Sequence, residues 1–137
     1  MTNKNEDCIF CKIAKGEIPS KSIYEDKNVI AFLDINPISK GHTLVIPKNH
    51  FENIFDIPES ELKEIIDTSK KISILLKNKL NADGINILHA SGKEAQQSVF
   101  HFHIHIVPRY KNDKLDTWPK SDYNELNFEE IIKKIKQ

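Results

Sequence analysis

Residues 98–109 read Ser-Val-Phe-His-Phe-His-Ile-His-Ile-Val-Pro-Arg. In an extended strand, successive side chains point to opposite faces. His101, His103, His105 and Val107 therefore share one face, and Phe100, Phe102, Ile104 and Ile106 share the other. The apolar row can bury in a core while the other face holds imidazoles. Three of the chain's six histidines fall in these five residues. Imidazole near neutral pH is a nucleophile, a proton carrier and a metal ligand. Cationic neighbours on one strand face repel, so the row is expected to be at least partly neutral.

Strands mixed with one long helix extend the reading to the whole chain. Cys8 to Lys15 suits a short helix stopped at Gly16. Ser22–Tyr24, Val29–Asp34, Thr43–Pro47 and Ile85–His89 read as short strands. Asp56 to Leu80 is the main helix, with Pro58, Glu59, Glu61 and Glu64 near its start. Leu62, Ile65, Ile66, Ile72, Leu76 and Leu80 give it an apolar stripe. Ala90–Gln97 is a loop, and Asn127 with Glu130 resembles a capping box for a last helix ending near Lys136. The strands do not alternate regularly with helices. That pattern predicts an α+β fold: an antiparallel sheet of about five strands, one long helix and short terminal helices.

The 137 residues fit one domain, with a core over about 8–110 and a tail over 111–137. Twenty basic residues balance twenty acidic ones. No global field then draws the chain to nucleic acid, and no apolar run approaches a membrane span of about 20 residues. The N-terminal residues lack an apolar signal region, which predicts a cytoplasmic location. Both cysteines fall in one Cys-x-x-Cys, Cys8 and Cys11, a spacing that suggests metal or redox work in such a compartment. No phosphate-loop or dinucleotide fingerprint occurs.

Two chemistries fit the three histidines. They can bind a metal that activates water. Alternatively, one is a covalent nucleophile whose neighbours hold phosphate oxygens. Spacing alone leaves both open.

His-Phe-His-Ile-His-Ile-Val at 101–107 resembles the His-φ-His-φ-His-φ-φ signature of the histidine triad (HIT) superfamily, φ being apolar. Ile9–Ile13, Ala31–Ile35, Gly41–Lys48 and Gln97–Val99 resemble its Hint branch in the same order. The similarity covers roughly residues 8–110, and Pro108-Arg109-Tyr110 with the longer tail looks bacterial. The resemblance implies a nucleotide hydrolase that attacks the α-phosphorus of purine nucleoside phosphoramidates or related AMP conjugates. His103 would be the nucleophile and form a nucleotidyl-histidine. His105 would bond the phosphate, His42 would support the triad, and Ser98 would contact phosphate and leaving group. Asp34 matches the acid that receives the ribose hydroxyls. Ile9, Phe10, Ile13, Phe32 and Ile35 match positions around the nucleobase, and Gln97 belongs to the same nucleotide site. A C2 homodimer is also implied. Two rival readings are a dinucleoside polyphosphate hydrolase or nucleotidyltransferase, and a nucleotide-binding interaction module with incidental turnover. The chain departs from the family at Ala90, where Asn is usual, and at Gln96, where Gly is frequent.

Cys8 and Cys11 can supply half of a structural zinc site, with His50 and His101 the candidates to complete it. The related galactose-1-phosphate uridylyltransferases resemble this scheme, since the first histidine of their nucleophile motif binds zinc. His89 reads as a packed or surface histidine, and Arg109 as either a phosphate contact or a surface charge.

Overall fold

The computed structural model describes residues 5–123 and 125–137. Five strands form one antiparallel sheet: β1 (Ser22–Glu25), β2 (Val29–Leu33), β3 (Thr43–Pro47), β4 (Gly84–Leu88) and β5 (Ile104–Arg109). Their order is β1-β2-β3-β5-β4. Three helices accompany them: α1 (Ile9–Ala14), α2 (Glu59–Leu80) and α3 (Phe128–Ile135). This architecture agrees with the α+β reading.

The central strands are buried on both faces. Val29, Ala31 and Val45 pack with Ile65, Ile72 and Leu76 of α2, together with Phe102, Ile104 and Ile106. Ile30, Phe32, Leu44 and Ile46 turn the other way and pack on Phe10 of α1. The period of two thus sorts β2 and β3 between two cores. The same alternation sends Ile104 and Ile106 toward α2 and leaves His103 and His105 on the side of α1.

Several boundaries differ from the sequence reading. The ladder of β5 begins at Ile104, because its last pair with β3 is Val45–Ile104 and its last with β4 is Leu88–His105. His101, Phe102 and His103 lie outside it. Here the backbone is held singly, for example by the Phe102 N–H donating to the Phe51 carbonyl at 2.6 Å. Phe102 is fully buried, whereas Phe100 is 43% exposed and leaves the core face assigned to it. Helix α2 starts at Glu59 rather than Asp56, since a residue before proline is pushed out of the helical region. Pro58 is its extended N-cap, and Asp56 instead accepts the Glu52 and Asn53 N–H groups in the preceding turn. The buried stripe of α2 runs through Ile65, Thr68, Ser69, Ile72 and Leu76, while Ile66 is exposed. Asn127 caps α3 by accepting the Glu130 N–H, as its spacing predicted.

A residue in the loop after β4 explains one departure from the family pattern. Gln96 adopts a left-handed conformation, φ 68°. Glycine enters that region freely, whereas another L-residue pays roughly 1–2 kcal/mol.

Candidate active site and metal centre

Helix α1, the β2–β3 edge and the segment before β5 enclose a cleft of about 360 Å³. Ile9, Phe10, Ile13, Phe32, Asp34, Ile35, Ser98, His103 and His105 all line it. Ile9 and Ile35 remain largely exposed at its mouth, apolar surface that a ligand can cover. His42 stands behind His105 rather than on the wall. Gln97 is also off the wall: its side-chain oxygen accepts the Gly92 N–H, and its amide donates to the Glu52 and Val99 carbonyls. It shapes the loop that carries Ser98.

Carbonyl and N–H partners assign the imidazole tautomers, because a carbonyl only accepts and a peptide N–H only donates. The Ile38 N–H donates to His42 Nδ1 at 3.2 Å, so neutral His42 carries its proton on Nε2. That proton is donated to His105 Nδ1 at 2.9 Å, which places the proton of neutral His105 on Nε2. His103 Nδ1 donates to the His101 carbonyl at 2.8 Å and leaves the Nε2 lone pair free. The wall of the cleft therefore carries an imidazole with a free lone pair beside an imidazole that is a donor. Asp34 Oδ1 accepts the Asn36 N–H at 2.9 Å, and its Oδ2 approaches His42 Nε2 at 3.6 Å.

Burial is the main reason these histidines stay neutral. It lowers the pKa of His42 and His103 and brings His105 to about 4, with neighbouring imidazoles adding to the effect on His105. Asp34 opposes the shift in each case. The repulsion expected from the sequence is present, but desolvation outweighs it. The 3.6 Å approach of Asp34 to a neutral His42 is accordingly not an ion pair at pH 7.

A pH dependence follows. The unfolded chain protonates its histidines near pH 6.5, whereas folded His105 resists protonation down to about 4. Protons then bind preferentially to the unfolded state, so stability falls as pH drops from about 6.5 toward 4. Urea midpoints measured across this range should fall less steeply for His105→Asn than for the parent chain. Identical slopes would remove His105 from the acid response.

A second group lies on the far side of Phe10, whose ring meets His101 and His103 edge-on at centroid distances of 5.9 and 5.2 Å. Cys8, Cys11, His50 and His101 bring their ligand atoms within 4.8 Å of one another, an arrangement that could hold a metal ion. Cys8 is the N-cap of α1, and its sulfur accepts the Cys11 N–H at 3.4 Å. The helical turn thereby aims both sulfurs at one point. His101 Nε2 donates to the Pro47 carbonyl at 2.8 Å, so its Nδ1 lone pair faces the cluster. Nδ1 stands 3.4 Å from Cys8 Sγ, 3.5 Å from Cys11 Sγ and 3.2 Å from His50 Nδ1. Cys11 Sγ is 3.3 Å from His50 Nδ1. Burial pushes the Cys11 thiol up and the His101 pKa down to about 4. Asp34, His42 and His105 also cluster within 4.8 Å, but the 2.9 Å contact between their imidazoles is a hydrogen bond.

Residues 15–112 match the family described as HIT domain. The chain belongs to the HIT family. An uncharacterized HIT-like protein of Methanocaldococcus jannaschii is 48% identical over 129 residues, covering 94% of this chain and 98% of that one. A HIT family protein from Bacillus anthracis superposes with a TM-score of 0.88 at 40% identity, covering 97% and 95% of the two chains. An adenosine 5'-monophosphoramidase of Candida albicans is 42% identical over 106 residues, 74% of this chain and 70% of that protein. A Zn-bound histidine triad family protein from Mycobacterium smegmatis gives a TM-score of 0.78 at 42% identity, covering 85% and 84%.

Two residues of this HIT chain have partners that the sequence reading did not name. His89 reaches the backbone of His103, as described below. Arg109 pairs with both carboxylate oxygens of Asp113 at 2.8 and 2.9 Å and with Asn86, which makes it a brace for the tail rather than a phosphate contact. Asp113 is a local partner four residues on, whereas Asn86 comes from β4. No helix among the described residues is long and apolar enough to cross a membrane.

Proposed function

We propose that this HIT protein hydrolyses purine nucleoside phosphoramidates or related AMP conjugates at the α-phosphorus through His103. The observation that carries this reading is the assignment of ring protons. His103 offers Nε2 as a lone pair to the cleft, and His105 offers an Nε2–H beside it. A neutral imidazole needs no deprotonation to attack.

In the first step the His103 Nε2 lone pair forms a bond to phosphorus. The bond from phosphorus to the leaving nitrogen breaks, and its electron pair takes up a proton from solvent, so the group departs as a neutral amine. His105 Nε2–H and Ser98, both on the cleft wall, would bond the phosphate oxygens as charge develops. In the second step water attacks phosphorus and gives one proton to solvent, the phosphorus–Nε2 bond breaks with its electron pair returning to neutral His103, and nucleoside monophosphate leaves. Asp34 would take the ribose hydroxyls, and the apolar wall of Ile9, Phe10, Ile13, Phe32 and Ile35 would take the base. The name of the Candida relative supports an AMP amide as substrate.

The same reading includes a structural zinc on Cys8, Cys11, His50 and His101. Tetrahedral zinc with bonds of about 2.0–2.3 Å sets its ligand atoms about 3.3–3.8 Å apart. The spacings here, 3.2–3.5 Å, suit that ion. Four protein ligands leave no open position, so zinc would hold the fold together without meeting substrate.

A substrate panel read by mass spectrometry tests the activity. An AMP amide should give a nucleotidyl adduct on the protein and release AMP. Tight AMP binding with negligible turnover across the panel would replace the hydrolase with a binding module.

A further inference from the structure

We infer that His89 is a positioning residue for His103, doing with its side chain what the sheet no longer does with its backbone. This rests on the reading of His103 as the nucleophile. Strand β4 ends at Leu88, opposite His105, and β3 reaches no further than Ile104. The carbonyl of His103 lies just past the ladder. His89 Nδ1 meets it at 2.9 Å and, because a carbonyl only accepts, Nδ1 carries the proton.

The other edge of the ring is fixed as well. His89 Nε2 is hydrogen-bonded to Ser91 Oγ. That oxygen accepts the Ile54 N–H at 2.9 Å, which leaves the hydroxyl proton for Nε2. In the neutral ring, the carbonyl at Nδ1 selects the Nδ1–H tautomer. The face of the ring stacks on Phe102, with centroids 4.5 Å apart and planes at 28°. Phe102 is itself fully buried. The imidazole is thus clamped at both nitrogens and on one face, and it ties the peptide of His103 to the turn before α2.

The arrangement holds the nucleophile at two points. The His101 carbonyl holds the ring through Nδ1, and His89 holds the following backbone through the His103 carbonyl. If that carbonyl rotated, the direction of the Nε2 lone pair would change. A misplacement of about 1 Å can slow a reaction about a hundredfold. His89 is not on the cleft wall, so its effect on rate acts through His103 and not on substrate.

The test uses the full-length, metal-loaded protein with an AMP amide substrate. His89→Phe keeps a ring over Phe102 but has no donor. His89→Asn places an amide nitrogen near where Nδ1 stands. His89→Phe should lower kcat by about tenfold to a hundredfold while KM stays within about twofold. His89→Asn should recover the parent kcat to within about threefold. A folded His89→Phe with parent kcat would overturn the inference, and so would His89→Asn no faster than His89→Phe. Should His89→Phe not fold, His89→Gln takes its place, since its amide sits one bond further out. Ring nitrogen NMR gives a readout independent of turnover. His103 should show a single Nδ1–H tautomer in the parent and in His89→Asn, and a mixture in His89→Phe. If the parent turned over no nucleotide conjugate, the hydrolase reading alone would fail. An unchanged His103 spectrum in His89→Phe would then still overturn the positioning role, and an altered one would support it.

Discussion

His103→Ala is expected to abolish the nucleotidyl adduct and lower kcat by at least about 10⁴-fold. The lone pair at Nε2 is the electron source for the first step, and alanine offers none. His105 cannot take over, because the proton that His42 directs to its Nε2 occupies the position facing the cleft. The substitution leaves a void beside Phe10, with a stability loss of about 1–3 kcal/mol, so the variant should remain folded at room temperature. Intact-protein mass spectrometry after mixing with an AMP amide gives the direct reading. An adduct that persists in His103→Ala would transfer the nucleophile's role to another side chain.

Metal removal should produce the second large effect. A structural zinc site contributes on the order of 10 kcal/mol at neutral pH, although an apo state that stays compact recovers part of it. Chelation or Cys11→Ala should still cost more than about 3 kcal/mol, or roughly 10 °C in Tm for a chain of this size. Without the ion, lone pairs on Cys11, His50 and His101 crowd within 3.2–3.5 Å and a buried thiol loses its partner. Stability should be lost first and activity second. The path to activity is short: His101 would bind zinc through Nδ1, and its carbonyl holds the His103 ring. Equal melting temperatures with and without a strong chelator, together with no metal by elemental analysis, would rule out the site.

Much of this was legible before the fold. The alternation at 101–107 placed the three histidines on the face opposite Phe102, Ile104 and Ile106, and the two cores preserve that division even where the ladder stops. Cys-x-x-Cys is a helical-turn spacing, so Cys8 and Cys11 converge by local geometry. Asn127 with Glu130 is legible for the same reason, being a contact within one turn.

The elements that were misread depend on where another segment stops. Phe100 followed the alternation on paper but is 43% exposed, although Phe102, also past the last ladder pair, is fully buried. Gln97 is off the cleft wall, and its amide is engaged by Gly92, Glu52 and Val99, contacts that no local pattern announces. Arg109 is held by Asp113 four residues on and by Asn86 of the neighbouring strand β4. Gln96 departs from glycine at a backbone position whose left-handed φ shows only in three dimensions.

The sequence by itself determined which residue types face which way, because side-chain period and helical spacing are local properties of the backbone. It separated the histidines from the core and paired the cysteines. Only the tertiary structure decided where each proton sits. An imidazole's two nitrogens are distinguished by their partners, and the fold brings several of those partners from elsewhere in the chain: Pro47 for His101, His42 for His105 and His103 for His89. Three similar histidines become a lone pair facing Cys8 and Cys11, a cleft-facing lone pair and a cleft-facing donor because a different group meets each ring.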